Sequence, residues 1–390
     1  MAKSTLQVVV VLGTRPEAIK LAPVIQALTQ PDPVQSGQLE FKTHVILTGQ
    51  HREMVQQVMQ LFNLTEDYDL QIMQPKQTLT DITCRSLQGL EQLLQDLQPH
   101  VILVQGDTTT AFAAALAAFY LKNPVGHVEA GLRTDDVFNP YPEEANRRLI
   151  SQLSQFHFAP TLQAVENLKN SGVLGEIHHT GNTVIDALLS VAQHQPELKV
   201  PDLDSTNSRL ILATVHRREN WGNLDQIARA FLQVLDQFSD TILLLPLHRN
   251  PTVREPLKAI LGQHSRAFLT EPLNYAELVA AINQSYFLLT DSGGLQEEAP
   301  SLGKPVLVLR ETTERPEAIT AGTAKLVGTK TADIVRAAAE LLDDSEVYHR
   351  MATAINPFGD GQAAQRIVKI LADHFTNLST QQDPIYSNHK

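Results

Sequence analysis

The sequence predicts an α/β protein of two domains, and three observations lead to this fold class. Short apolar runs rich in β-branched residues, such as 8–12, are typical of strands buried on both faces of a parallel sheet. Segments with helical spacing of their apolar residues follow these runs, so that strands and helices alternate. The chain of 390 residues suits about two or three domains, and the polar segment 194–208 interrupts the series.

Composition excludes several classes of protein. The net charge of −12 argues against a surface for nucleic acid, although a small anion remains possible where basic residues converge. Cys84 is the single cysteine, so neither an intrachain disulfide nor a Cys-rich metal site is expected. No histidine pair has the spacing of a zinc site, and no apolar run approaches the ~20 residues of a membrane span. The first apolar run is too short for a signal peptide, and we expect a cytoplasmic protein.

The first half of the chain contains five apolar runs that predict strands, each with a helical pattern after it. The predicted strands are 8–12, 44–48, 101–104, 125–128 and 156–159. The predicted helices are the one that begins near Pro16, then 54–62, 80–97, the Ala-rich 111–120, one that begins at Pro142, 162–170 and 183–192. Pro16 suits a first helical turn because a proline there loses no hydrogen bond.

A second series follows the polar segment and predicts another α/β domain. Its strands are 210–213, 241–245, one that ends at Leu269, 286–289 and 306–309. Its helices are 276–283, one from Leu295 onward and a last one at 365–375, beyond which the polar tail is expected to fray. We therefore predict domains at 1–192 and 193–361, with a helix at about 362–380 packing back on the first domain.

Residues 290–300, Thr-Asp-Ser-Gly-Gly-Leu-Gln-Glu-Glu-Ala-Pro, have the pattern of a nucleotide-binding turn. Gly293 and Gly294 would let the backbone turn sharply and approach a ligand. Backbone N–H groups at the start of the next helix attract anions, and Ser292 would add a hydroxyl. Glu298, one turn further on, would accept hydrogen bonds from sugar hydroxyls. The alternative is a tight strand-to-helix turn with a solvated acidic first turn.

Charged residues also follow predicted strands in the first half. Arg15 follows the first strand, Asp107 the third and Glu129 the fourth. Because ligands bind beyond the carboxyl ends of parallel strands, these side chains are predicted to face one crevice. Alternatively, each carboxylate caps a helix or pairs with Arg133.

Glu143 follows a loop stiffened by prolines, and it and its neighbour Glu144 could each form a helix-surface ion pair. The pairs Glu143–Arg147 and Glu144–Arg148 have i,i+4 spacing and would each contribute roughly 0.2–0.5 kcal/mol. The position of Glu143 shortly after Glu129 favours a role in the same crevice.

Basic residues cluster after strands of the second half as well. His216 and Arg217 follow its first strand, and Arg315 begins a second copy of the pentapeptide Arg-Pro-Glu-Ala-Ile found at 15–19. Neither a Gly-x-Gly-x-x-Gly turn after the first strand nor a Walker phosphate loop is present. Cations would hold a pyrophosphate and carboxylates would move protons.

Seven motifs in one order give the chain a specific resemblance. They are GTRPEAIK at 13–20, QGDTT at 105–109, HVEAGLR at 127–133, PEEANR at 142–147, HRREN at 216–220, DSGGLQEE at 291–298 and TERPE at 313–317. Together they resemble the non-hydrolysing UDP-N-acetylglucosamine 2-epimerases over nearly the whole chain. The resemblance implies two Rossmann-like domains facing across a cleft (GT-B type), a homodimer, and no metal or nicotinamide cofactor.

The implied reaction interconverts UDP-GlcNAc and UDP-ManNAc at C2. Loss of the C2 proton with departure of UDP gives a 2-acetamidoglucal, to which UDP adds back as a proton arrives from the opposite face. The resemblance implies Asp107, Glu129 and Glu143 as acid–base candidates, without deciding which removes the proton, and groups His216 with them. The implied substrate-binding residues are Arg15, Lys20, Arg147, Ser292, Gly293, Gly294 and Arg315 near the phosphates, Glu298 at the ribose, and Leu273 and Leu278 at the uracil.

Bacterial members of the family also bind UDP-GlcNAc at a second, activating site. The resemblance places Gln50, Glu53, Arg85, Arg217 and His248 there, together with Glu143, and Glu53 departs from members that carry Gln. Three other functions remain open: a UDP-GlcNAc-dependent glycosyltransferase, a hydrolysing epimerase that releases ManNAc, and a silent sugar-nucleotide sensor. The three carboxylates argue against the sensor, which has no use for acid–base groups.

Overall fold

The computed structural model describes residues 4–30, 39–50, 52–74, 76–203 and 206–380. Strands and helices alternate along the chain, and two units separate by their internal contacts. Unit 1 comprises Met1–Ala187 and Phe358–Lys390, and unit 2 comprises Leu188–Pro357. Within the described ranges, no helix combines the length and apolarity needed to cross a bilayer.

Unit 1 is built on a parallel sheet. Its described strands are β1 Ser4–Leu12, β2 Leu39–Leu47, β3 Tyr68–Asp69, β4 Val101–Gln105, β5 Val125–Val128, β6 Phe156–Ala159 and β7 Glu176–His179. Its helices are α1 Arg15–Thr29, α2 Arg52–Leu61, α3 Leu79–Leu97, α4 Thr109–Tyr120, α5 Glu143–Leu153, α6 Leu162–Asn170 and α7 Thr183–Gln193, with α15 Ala363–Thr380 added from the end of the chain. The spatial order is β3-β2-β1-β4-β5-β6-β7.

The central strands of unit 1 are buried because helices cover both faces of the sheet. Val8, Val9 and Val10 of β1 and every residue of β4 are buried, as the continuous apolar runs predict. The alanines of α4 allow this helix to lie close against the sheet and against α3. These tightly packed strands hold the loops at their carboxyl ends in fixed positions.

Unit 2 repeats the architecture with a second parallel sheet. Its described strands are β8 Arg209–Thr214, β9 Thr241–Pro246, β10 Ala267–Thr270, β11 Phe287–Thr290, β12 Val306–Val308 and β13 Ala324–Leu326. Its helices are α8 Leu224–Gln237, α9 Pro251–Leu261, α10 Tyr275–Gln284, α11 Gly293–Glu298, α12 Pro316–Ala321, α13 Thr331–Asp343 and α14 Ser345–Ala352, with 3₁₀ turns at Arg218–Asn223 and Ala299–Leu302. The order is β10-β9-β8-β11-β12-β13.

Strand order identifies the binding crevice of each unit. The order reverses between β1 and β4 in unit 1 and between β8 and β11 in unit 2. A parallel sheet opens a crevice at such a reversal, because the loops on its two sides turn to opposite faces. Arg15 and Asp107 follow β1 and β4, and His216 and Ser292 follow β8 and β11. These four predicted site residues therefore lie at the reversal points of their own units.

The fold class, an α/β fold with two Rossmann-like domains, is confirmed. Bounds of several predicted elements differ by a few residues, and α6, β5 and β6 agree with the prediction. The sequence did not predict the strands β3, β7 and β13 or the helices α8, α9, α13 and α14. The predicted start of a helix at Leu295 is wrong, because α11 begins at Gly293.

The division between the units falls inside α7, between Ala187 and Leu188, whereas the sequence prediction divided the chain at 192/193. Residues 204 and 205 of the polar segment lie outside the described residues. Helix α15 belongs to unit 1, where the rings of Phe156 and His374 make an edge contact at 4.8 Å. The tail expected to fray is helical to Thr380, and 381–390 lie outside the described residues.

Candidate active site

Glu17 joins the loops that follow β1 and β4. Its Oε2 atom accepts hydrogen bonds from the backbone N of Gly13 at 3.0 Å and of Thr14 at 2.5 Å, and its Oε1 accepts one from the Thr108 hydroxyl at 2.6 Å. Burial raises the pKa of Glu17, although these hydrogen bonds act in the opposite direction. The carboxyl group thus holds the loop of Arg15, which begins α1 and is half-buried, against the loop of Asp107.

Asp107 is held in place by α5. Its carboxylate forms an ion pair with Arg147, and its backbone carbonyl accepts a hydrogen bond from Asn146 Nδ2 at 2.9 Å. Neither structural alternative from the sequence applies, because the cap of α4 is Thr108 and the ion-pair partner is not Arg133. A quarter of the Asp107 side chain is exposed, so the carboxylate remains accessible.

Glu129 is a buried carboxylate surrounded by hydrogen-bond donors. Lys20 Nζ lies 2.6 Å from its Oε1 and 2.7 Å from its Oε2. Gln105 donates to Oε2, and Asn182 Nδ2 donates to Oε1 at 3.2 Å. The backbone of Glu129 has a φ of +63°, a conformation that costs of order 1–3 kcal/mol for a non-glycine residue and often occurs at functional sites. The sequence did not indicate that Lys20, predicted near the phosphates, reaches this carboxylate.

Glu143 lies at the start of α5 and is half-buried. The possible pair Glu143–Arg147 does not form, because Arg147 turns to Asp107 and to Glu144, whose Oε2 is 3.3 Å from Arg147 Nη1. The other possible pair does form, with Arg148 Nε 2.6 Å from Glu144 Oε1. In the described part of the chain Glu143 has no ion-pair partner, which leaves its carboxylate available to a ligand.

In unit 2, Asp291 fixes the position of His216. His216 Nδ1 lies 2.9 Å from Asp291 Oδ1, and the backbone N atoms of His216 and Arg217 donate to Oδ2 at 2.9 Å each. Asn220 Nδ2 adds a hydrogen bond to Oδ2 at 3.0 Å. Burial acts to raise the pKa of Asp291, but the hydrogen bonds and charge of His216 outweigh it and lower the pKa. Asp291 therefore directs Nε2 of His216 away from itself.

The turn at 292–294 differs from the prediction in one respect. Gly293 and Gly294 are the first residues of α11, and neither has a positive φ. The prediction that they turn the backbone sharply is therefore wrong. A Cβ atom on Gly293 would lie 3.1 Å from Glu314 Oε1, a tight contact that a small shift of this side chain could relieve, and 3.5 Å from Arg217 Nη2, an ordinary contact. Ser292 is the N-cap residue of α11, and its side chain makes no capping hydrogen bond.

Arginines from two loops meet at the start of α11. A Cβ atom on Gly293 would lie 3.8 Å from Arg315 Nη2 and 3.5 Å from Arg217 Nη2, so both guanidinium groups lie beside this residue. Arg217 Nη2 lies 2.6 Å from Glu314 Oε1, and Arg315 forms an ion pair with Glu297. Burial acts to raise the pKa of Glu314, but the charges of neighbouring arginines outweigh burial and lower it to about 2. Such a cluster can bind a multiply charged anion.

The residues predicted at the ribose and the uracil lie near α10 and α11. Glu298 is buried and accepts a hydrogen bond from the Tyr275 hydroxyl at 2.9 Å. Leu273 precedes α10 and Leu278 lies within it, and both are half-buried. A cavity of about 150 Å³ is lined by Thr214, Val215, His216, Pro246, Leu247, His248 and Pro272.

The residues predicted for an activating site lie in both units. Gln50 Oε1 accepts a hydrogen bond from Thr110 at 2.8 Å, and Arg85 Nη1 donates to the Ile72 carbonyl at 3.2 Å. Glu53 is exposed in the first turn of α2. In unit 2 the rings of His248 and His216 are 6.5 Å apart and nearly parallel. Among the described residues, Gln50, Glu53 and Arg85 make no hydrogen bond or ion pair with one another.

Several residues of the site were not identified from the sequence. Asp291, Glu314, Gln105 and Asn182 support predicted site residues through hydrogen bonds or ion pairs. The first three belong to motifs that carry the family resemblance, and membership of a motif was a usable signal. Asn182 follows a glycine at a helix start and carried no such signal. Within the described ranges, no group of three His, Cys, Asp or Glu side chains is arranged to hold a metal ion.

Known proteins are similar to this chain in sequence and in fold. The family model described as UDP-N-acetylglucosamine 2-epimerase matches residues 35–372. The UDP-N-acetylglucosamine 2-epimerase of Yersinia pestis is 49% identical over 385 residues, which cover 96% of this chain and 100% of the relative. The UDP-GlcNAc 2-epimerase of Neisseria meningitidis, solved with UDP-GlcNAc bound, is 46% identical with a TM-score of 0.83, covering 94% of this chain and 100% of that one.

A third match is the S. aureus MnaA–UDP structure, which is 43% identical with a TM-score of 0.84 and covers 96% of this chain and 98% of that one. The matched segments include all the motifs quoted from the sequence beyond residue 35. The chain belongs to the UDP-N-acetylglucosamine 2-epimerase family.

Proposed function

We propose that the protein interconverts UDP-GlcNAc and UDP-ManNAc without releasing the sugar, as an isomerase that needs no metal or nicotinamide. The observation that carries the proposal is the pair of carboxylates Asp107 and Glu129 after the neighbouring strands β4 and β5. Each carboxylate is held by a cation, Arg147 or Lys20. Membership of the family and the UDP-GlcNAc bound to the Neisseria relative support the choice of substrate.

The reaction proceeds by elimination and re-addition. A carboxylate removes the C2 proton while the C1–O bond to the β-phosphate breaks, which forms the C1=C2 double bond of 2-acetamidoglucal and frees UDP. A second group then delivers a proton to the opposite face of C2 as a phosphate oxygen of UDP bonds to C1. Asp107, Glu129 and Glu143 supply these proton-transfer groups, because inversion at C2 requires one group on each face.

Unit 2 keeps the UDP bound between the two steps. Ser292, Gly293 and Gly294 present backbone N–H groups at the start of α11, and Arg315 and Arg217 supply positive charge beside them. His216, oriented by Asp291, stabilises the negative charge that develops on the β-phosphate as the C1–O bond breaks. Arg15 of unit 1 adds a further cation for the phosphates. Glu298 accepts hydrogen bonds from the ribose, and Leu273 and Leu278 contact the uracil.

One assay separates this function from its alternatives. The protein is incubated with UDP-GlcNAc in D₂O, and the sugar is followed by NMR. Deuterium at C2 of intact UDP-GlcNAc and UDP-ManNAc supports the proposal. Free ManNAc together with UDP would indicate a hydrolysing epimerase. No change without an acceptor would indicate a glycosyltransferase or a silent sensor.

We also propose that UDP-GlcNAc activates the enzyme at a second site formed by Gln50, Glu53, Arg85, Glu143, Arg217 and His248. Strictly hyperbolic rates with UDP-ManNAc alone, and no stimulation by added UDP-GlcNAc, would rule this out.

The family resemblance further supports a cytoplasmic homodimer whose product supplies ManNAc for cell-surface polysaccharides. A sedimentation coefficient of a monomer at assay concentration would contradict the dimer.

A further inference from the structure

Asn182 occupies the point where three parts of unit 1 meet. It lies in the loop between β7 and α7, and only 2% of it is exposed. Its backbone N donates a hydrogen bond to the Phe358 carbonyl at 2.7 Å, and Phe358 is the first residue of the segment that returns to unit 1. Its side chain reaches Glu129, 53 residues away in sequence, at 3.2 Å.

The orientation of the Asn182 amide is fixed by its own neighbours. The backbone N of Val184 donates to Asn182 Oδ1 at 3.2 Å, so the oxygen end of the amide is occupied. The NH₂ end must then face Glu129 Oε1, which as a carboxylate can only accept. An asparagine meets both requirements, since aspartate cannot donate to Glu129 and an alanine reaches neither partner.

The backbone around Asn182 allows little adjustment. Gly181 has a φ of +86°, and a Cβ atom there would lie 3.4 Å from the Cα of Gly359. Gly359 has a φ of +146°, and a Cβ atom on it would lie 3.4 Å from the backbone N of Asn182. Two chain segments therefore approach each other through glycines and hold Asn182 between them. A donor fixed in this way constrains the carboxylate that it contacts.

We propose that Asn182 is a positioning residue for Glu129. Its amide sets the direction of Glu129 Oε1 and supports the ionised carboxylate during proton transfer. The proposal rests on the acid–base role of Glu129 in the proposed function. Lys20 contacts both oxygens, Gln105 donates to Oε2, and Asn182 Nδ2 donates to Oε1. Removal of Asn182 would leave the carboxylate bound but free to rotate towards Lys20 and Gln105.

The test compares N182A and N182D with wild type in the full chain. N182A is expected to lower kcat by about 10- to 100-fold, as for a lost hydrogen bond to a charged group, while the Kd for UDP changes less than about threefold. N182D retains the acceptor for Val184 and the backbone bond to Phe358, and circular dichroism checks that it folds despite the added buried charge. It places a second carboxylate beside Glu129, which should move the acidic limb of the kcat profile about one pH unit upward.

Asn123 provides a control for the loss of an asparagine amide, because its Nδ2 donates to the backbone carbonyl of Pro99 at 2.9 Å rather than to a carboxylate of the site. N123A should keep kcat within about twofold of wild type, whatever its effect on Tm. A kcat within twofold of wild type in N182A, or an unmoved pH profile in N182D, would overturn the proposal. If N182A does not fold, the N182D profile decides. A wild-type enzyme that exchanges no C2 proton in D₂O would instead overturn the proposed function.

Discussion

The Nζ atom of Lys20 lies 2.6 Å from one carboxylate oxygen of Glu129 and 2.7 Å from the other. The two residues are 109 positions apart, and neither is more than about one-fifth exposed in its side chain. An ammonium bound this closely to both oxygens favours the ionised carboxylate, which is the form that accepts a proton. The proposed function therefore predicts that Lys20 supports Glu129 as a proton acceptor, besides any contact it makes with phosphate.

Replacement of Lys20 by methionine tests which of these roles dominates. We expect kcat to fall by about 10- to 100-fold, because a buried carboxylate that loses its cation is strongly perturbed. The Kd for UDP, measured by calorimetry, should change less than about threefold. A large loss of UDP affinity with an unchanged kcat would show that Lys20 serves the phosphates instead.

Replacement of Asp107 by asparagine should abolish turnover and leave UDP binding largely intact. The amide keeps the shape of the side chain beside Arg147 but cannot accept a proton from carbon. Calorimetry with UDP and circular dichroism provide the controls. Loss of the folded state, rather than of turnover alone, would mean that Asp107 is a structural residue.

We expect Glu314 to compete with a bound anion for the arginines of unit 2. Its carboxylate pairs with Arg217 and Arg310 and stays ionised, because its pKa is lowered to about 2. E314Q should therefore tighten UDP binding by about fivefold, which corresponds to about 1 kcal/mol. Glu219 pairs with Arg310 at 2.5 Å, and E219Q serves as the control because it leaves the Arg217 pair intact. Weaker UDP binding in E314Q would show that Glu314 orients Arg217 rather than opposing the ligand.

Asp186 should make the stability of the protein depend on pH. Burial raises its pKa from 3.8 to about 6, although hydrogen bonds from the backbone, including the one from Ala364 N at 2.8 Å, act in the opposite direction. The folded state then binds more protons than the unfolded state between these two values, so stability falls as pH rises from about 4 to about 6, by about 3 kcal/mol. Thermal melts of D186N should lose this part of the pH dependence. An unchanged slope in D186N, relative to the exposed-site variant D373N, would contradict the assignment.

Much of the fold could be predicted because long apolar runs define strands buried on both faces. β1, β4 and β11 were found this way, and the charged residues after them followed. The edge strands β3, β7 and β13 were missed because they have two to four residues and half-exposed positions. Their apolar patterns are too short to distinguish from a loop.

The residues of the candidate site could be proposed from the sequence, but the contacts between their side chains could not. Asp107 and Glu129 were identified from their positions after strands. Their partners Arg147 and Lys20 depend on how α5 and α1 pack beside β4 and β5, which no local pattern specifies. Gly293 was identified for its backbone freedom, yet it has no positive φ, and the feature the structure shows there is the close approach of the Glu314 side chain to its α-carbon.

Cleavage and re-formation of the C1–O bond is the central chemical claim. UDP-GlcNAc labelled with ¹⁸O in the bridge between C1 and the β-phosphate provides the most direct test, with ³¹P NMR of the recovered sugar nucleotides. Once the C1–O bond has broken, the terminal phosphate of the bound UDP can rotate about its P–O bond before it adds back, so the label should scramble into the non-bridging positions as deuterium enters C2. Deuterium exchange at C2 with the label retained entirely in the bridge would contradict elimination and require direct deprotonation of the intact sugar.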